Sequence, residues 1–168
     1  MYSDTLVRGM CSEIDKAHNA GAYIATITLI YVCIDSLSYL NMPLKQRIQN
    51  KSDFILWVNT YLKTDPNQEY QYQGIDIYAA RCGQLHTYSP YSDFALKNKA
   101  KTIGYHDGCN HRYVPSIDPD LVIISIPRLK YDFFKAIESF FIAAQNDINI
   151  KNGIDSRITK LYQQFNIT

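Results

Sequence analysis

The chain has almost no net charge to offer a partner. Seventeen Lys and Arg face sixteen Asp and Glu across 168 residues, a formal balance of +1. No global field draws such a molecule onto nucleic acid or an anionic membrane, so any RNA contact has to rest on a local patch. The four cysteines, Cys11, Cys33, Cys82 and Cys109, form no CxxC pair. That spacing excludes a zinc ribbon, a redox pair and a dense disulfide framework, and it points to a reducing, cytoplasmic compartment. GxGxxG, Walker, GxSxG and HExxH patterns are all missing, so no nucleotide cofactor and no serine hydrolase chemistry is expected. The first six residues lack the basic head and apolar run of a secretion signal, and secretion is not expected. No repeat, low-complexity tract or composition shift marks a second domain. A chain of 168 residues then reads as one domain over 1–168, able to bury a core without disulfides or metal.

The strongest apolar run, 22–40, reaches membrane-spanning length but contains Thr26, Thr28, Asp35, Ser36 and Ser38. It is read as a buried central helix, with no membrane partner, although its β-branched content leaves a buried strand as the rival. Before it, Leu6, Val7, Met10, Ile14 and Ala17 recur at helical spacing over 4–18, the pattern of one buried stripe. After Pro43, Ile48, Ile55, Val58 and Leu62 predict a third helix over 44–62. A polar loop over 63–74 leads to a fourth helix over 75–87, ended by Pro90. The basic cluster at 97–101 is placed on a loop, and 102–105 and 121–126 read as a small two-stranded excursion. Pro127 suits the first turn of a long helix to about 149, rich in phenylalanine on one face. Asn152 and Gly153 punctuate, and Ile154, Ile158, Leu161 and Phe165 mark a short terminal helix. The expected fold class is mainly α, a bundle of five to six helices with a small β excursion.

Within the fourth helix stands Arg81-Cys82-Gly83-Gln84-Leu85-His86. On an ideal helix, Ile75, Tyr78, Cys82 and Leu85 share one stripe, and Arg81 and His86 flank it at roughly 70° on opposite sides. Ala79, Ala80 and Gly83, on the His86 side, are small enough for another helix to approach closely. Along the axis the Arg and His lie about 7.5 Å apart. One copy therefore gives a loose pair, whereas two copies across a two-fold bring Arg of one near His of the other. The chemistry available is RNA cleavage by internal transesterification. Neutral His86 takes the 2′-hydroxyl proton, since an imidazole's intrinsic pKa near 6.5 suits transfer around neutrality. Arg81 stabilises charge on the phosphate with a planar fork of donors, a role that needs no metal.

The Arg, four residues, then His pattern late in a helical bundle resembles the HEPN superfamily of helical ribonucleases and toxin-like domains. The string 80–87 also looks like a motif of small bacterial proteins. The resemblance implies a homodimer with a composite RNase site, often in defence or toxin and antitoxin systems, with an antitoxin or regulatory protein as a further partner. This chain departs from many catalytic members in having Cys82 where they carry a polar residue after the Arg. The alternative is a catalytically silent helical interaction module in which Arg81 and His86 are consumed by internal pairing.

An unpaired Asp35 in the most apolar helix is costly, so it is read as taking a simple structural hydrogen bond or lying at an exposed helix edge, with Arg81 as the rival partner, a pairing that orients the guanidinium. Tyr88 and Tyr91, with Lys97, Lys99 and Lys101, form a mixture of aromatic and basic groups suited to stacking bases and holding phosphates. Ordinary tyrosine packing and a solvated lysine run are the favoured account, since the chain has no basic excess to support strong RNA affinity. His106, Cys109 and His111 offer metal-ligand chemistry, but Asp107-Gly108 between them is better read as a turn, so no metal site is expected.

Overall fold

The structure, a computed structural model, describes residues 4–89 and 92–161. Tyr91, Phe165 and the side chain of Leu6 lie outside it. Among the described residues seven α-helices surround one core, with a two-stranded sheet at one side. The order is α1 (Asp4–Asn19), α2 (Tyr23–Asn41), α3 (Lys51–Trp57) continued by a π-turn (Val58–Leu62), α4 (Gly74–Thr87) and α5 (Asp93–Asn98). It continues through β1 (Thr102–His106), β2 (Leu121–Ser125), α6 (Ile126–Asn146), α7 (Ile148–Arg157) and a 3₁₀ turn (Ile158–Lys160). The mainly α fold with a small β excursion is as the sequence predicts.

The long apolar run forms α2, a helix and not a strand. Ile27, Ile30, Ile34, Leu37 and Leu40 are fully buried, so their packing outweighs the helix cost of β-branched residues. The α2 helix is long and apolar enough to cross a membrane by length and composition, and 50% of its apolar window is buried within the protein. Thr26 and Ser38 satisfy their hydroxyls on the carbonyls of Ala22 and Asp35, which lets them enter the core.

The helix expected over 44–62 begins only at Lys51. Asn50 caps it, accepting from the Ser52 amide at 2.8 Å while Asp53 accepts from the Asn50 amide at 2.7 Å. The preceding residues stay irregular because a distant side chain takes their carbonyls. The buried Arg157 guanidinium donates to the carbonyls of Met42 (2.6 Å), Pro43 (2.7 Å) and Gln46 (3.2 Å). A helix is then not needed to satisfy them.

Gly74 opens α4 where it crosses α3. A Cβ there would lie 2.5 Å from the backbone carbonyl oxygen of Ile55. Gly74→Ala is expected to force the two helices apart at a cost of about 1–3 kcal/mol or more, read as a lower urea midpoint. A wild-type midpoint would contradict this account of the crossing.

The basic cluster is not a plain loop: 93–98 forms the short α5, capped by Ser92, which accepts from the Ala95 amide at 3.1 Å. Six residues are too few for periodicity to show. The strands pair in parallel, Thr102 opposite Leu121 through His106 opposite Ser125. The link between them returns along the far edge of β2, where Arg112 and Ile123 exchange backbone hydrogen bonds of 2.8 and 2.9 Å. Helix α6 stops at Asn146, short of 149, because Asp147 turns the chain and caps α7 through the Asn149 amide at 2.8 Å. Gly153 does not punctuate. It is buried inside α7, where its missing Cβ leaves room for the carbonyl of Leu40 at the end of α2.

Candidate functional site

Helices α2 and α4 meet along a polar seam. Asp35 Oδ2 receives Nε of Arg81 at 2.8 Å and Nη2 at 2.7 Å, the rival arrangement among those the sequence leaves open for a carboxylate in an apolar helix. Both side chains are mostly shielded, at 24% and 21% exposure. The Tyr78 ring lies 6.0 Å from the guanidinium carbon. Farther along the seam, the Thr28 hydroxyl donates to the Ile24 carbonyl at 2.9 Å and accepts from Gln84 Nε2 at 3.2 Å.

His86 stands exposed at the end of α4. Its Nε2 lies 3.3 Å from Nη1 of Arg81 in the same chain. This corrects the expectation of a loose pair: the long Arg side chain spans the axial gap, and no second copy is needed to bring the two groups together. The guanidinium can only donate, so the contact places the lone pair of a neutral imidazole on Nε2 and its proton on Nδ1. The small residues Ala79, Ala80 and Gly83 are buried within the chain. Ser92 donates to the Ala79 carbonyl at 3.1 Å. They are not a free seam for another molecule.

Burial pushes the Asp35 carboxyl above its ordinary pKa, and the Arg81 hydrogen bonds and charge, with the charge of His86, only partly oppose it. Burial also works against the charge on Arg81, but hydrogen bonding and attraction to Asp35 outweigh it and raise its pKa. A raised folded-state value means that the stability Asp35 contributes is present below its unfolded pKa and is lost as pH rises through the folded one. Arg81→Met removes the largest opposing interactions, the hydrogen bonds and charge of Arg81. The Asp35 pKa is expected to rise further, read from the carboxyl carbon by NMR titration; a fall or no change would contradict the role assigned to Arg81.

The remaining site residues divide. Tyr88 caps α4 in a left-handed conformation, φ 52°, and is 75% exposed. Lys97 and Lys99 are exposed, at the end of α5 and at its left-handed cap. Lys101 is half-buried, its Nζ donating to the Gln71 carbonyl at 2.9 Å and lying over the Tyr113 ring at 4.3 Å. Tyr91 falls outside the described residues. His106 Nε2 donates to the Asn110 carbonyl at 2.8 Å and its Nδ1 accepts from the Gly108 amide at 3.0 Å. His111 Nδ1 accepts from the Ser125 amide at 3.0 Å, while its Nε2 faces Asp132 at 3.6 Å. Among the described residues no group of three or more His, Cys, Asp or Glu stands where it could hold a metal ion.

Sequence reasoning missed Gln84, although it lies inside the motif, three residues from Arg81 and so on the adjacent turn. It also missed the buried Asp132, which accepts from Arg128 Nε at 3.0 Å and Gln68 Nε2 at 2.8 Å. That network ties α6 to the 63–73 loop and lends the Arg81 site no group. Comparison of the chain with protein-family models, curated proteins and solved structures finds no match.

Proposed function

We propose that the protein is a HEPN-like, metal-independent endoribonuclease of the cytoplasm. The observation that carries this reading is an exposed imidazole held at 3.3 Å from an arginine that is itself fixed by Asp35. A phosphate oxygen arriving at Arg81 Nη1 replaces His86 as its acceptor and frees Nε2 for the 2′-hydroxyl proton. The 2′-oxygen to phosphorus bond then forms and the phosphorus to 5′-oxygen bond breaks. The leaving oxygen takes a proton from solvent, and a 2′,3′-cyclic phosphate remains. The rival reading, a silent interaction module, is favoured by Arg81 spending Nε and Nη2 on Asp35. It leaves the exposed His86 without a purpose.

The homodimer, and an antitoxin or regulatory partner, belong to the same proposal. Val32, one turn before Asp35 on α2, is 45% exposed and offers apolar surface beside the site. Sedimentation that shows a lone monomer contradicts the dimer and leaves the Arg81 and His86 pair intact.

The deciding experiment incubates RNA with wild type, Arg81→Ala and His86→Ala in a chelator and examines the product ends. Cyclic phosphate from wild type alone is expected. Equal cleavage by wild type and His86→Ala overturns the reading.

A further inference from the structure

Beside the α2 and α4 seam lies a cleft of about 290 Å³, lined by Ile24, Ala80, Gln84, Tyr88, Ile103 and Tyr105. Its size sits at the lower end for small-ligand sites, and its lining has their mix of apolar wall and few polar groups. The Tyr105 hydroxyl is hydrogen-bonded to that of the buried Tyr31, which fixes the inner wall. Gln84 lies one turn from Arg81, with about 5–6 Å between their Cβ atoms.

Two further observations specify the occupant. Tyr88 occupies the helix-capping position with φ 52° and 75% exposure, where glycine is the favoured residue. Its ring, left bare at the cleft mouth, offers a flat face on which a planar group can stack. The second is the orientation of the Gln84 amide. Thr28 gives its only proton to the Ile24 carbonyl, so it can only accept from Gln84. That assigns the amide nitrogen to Thr28 and leaves Oε1 as the acceptor Gln84 can offer the cleft.

We propose that this cleft seats the base of the nucleotide whose phosphate lies on Arg81 and His86, stacked on Tyr88 with its exocyclic amine donating to Gln84 Oε1. The inference rests on the RNA reading above. Adenine, cytosine and guanine each carry such an amine. Uracil's one ring N–H is flanked by carbonyl oxygens that would face the same acceptor, so it is disfavoured.

The test uses labelled 2′-O-methyl oligonucleotides of A, C and U, which bind but cannot be cut by 2′-hydroxyl attack, read by fluorescence anisotropy. Wild type is expected to bind A and C roughly two- to tenfold more tightly than U. Gln84→Leu is expected to erase that ratio. Tyr88→Gly suits the left-handed backbone and keeps the fold, yet is expected to weaken A and C binding roughly five- to hundredfold; Tyr88→Trp is expected to retain it. Equal binding of A, C and U by wild type, or undiminished binding by Tyr88→Gly, overturns the cleft assignment. If binding is still lost in Arg81→Ala, the phosphate site stands without the cleft. No binding of any oligonucleotide by wild type, with no cleavage of RNA, overturns the ribonuclease reading itself.

Discussion

Replacing His86 with alanine is expected to slow RNA cleavage by about 10²- to 10⁴-fold while the thermal midpoint stays at the wild-type value. The two halves of that expectation have separate causes. His86 is exposed and its ring is placed against one donor of Arg81, so its removal opens no cavity and strands no buried group. The loss falls on proton transfer. Arg81→Ala behaves differently. Removing the positive fork costs about 10²- to 10³-fold in rate, and it also leaves the largely shielded Asp35 carboxylate without its ionic partner, so the midpoint falls as well. Arg81→Lys keeps the charge but offers its donors from a single nitrogen, without the planar fork that spans from Asp35 to His86. Its rate is expected to lie near that of alanine. Kinetics on a defined RNA, with thermal melts of each variant, separate these outcomes; a stable His86→Ala protein that cuts at the wild-type rate contradicts the assignment.

Trp57→Ala is expected to lower stability by about 3–5 kcal/mol, on the order of 10 °C in the melting midpoint for a chain of this size. Trp57 is fully buried where α3 passes into the π-turn. Its ring lies 5.5 Å from Tyr61, 6.3 Å from Phe133 and 6.2 Å from Phe140, centre to centre. The residue thus joins α3 to α6, and its loss leaves a cavity that fixed helices cannot close. Trp57→Phe is expected to cost much less. It keeps a ring in place and removes an indole N–H that has no hydrogen-bond partner among the described residues. Calorimetry of both variants checks this, and a mild Trp57→Ala effect would mean that the core is held elsewhere.

Local pattern made α1, α2, α4 and the start of α6 legible, because each has an apolar stripe or a marker such as Pro127 at its first turn. The irregular 44–50 segment was hidden for a different reason. Arg157, more than a hundred residues away, takes the carbonyl of Gln46 and those of Met42 and Pro43 just before the segment, and no window of sequence contains that pairing. The break at Asp147 was masked by apolar residues on both sides. At the site, the cost of burying a lone carboxylate showed that Asp35 needs a polar neighbour, but it left Arg81 as one choice among several. The meeting of Arg81 with His86 was not legible, since axial spacing ignores the reach of a long side chain. Nor was Gln84, whose orientation depends on a Thr28 proton already given to Ile24.

The central claim is that the 2′-hydroxyl of the substrate is the nucleophile delivered to phosphate by His86 and Arg81. It is tested most directly with an RNA in which one mapped cleavage position carries a single 2′-O-methyl group, incubated with wild type in a chelator. Cleavage is expected to stop at that position and continue at the unmodified ones with cyclic phosphate ends. Continued cutting at the methylated nucleotide, or products ending in a free 3′-hydroxyl, would contradict it.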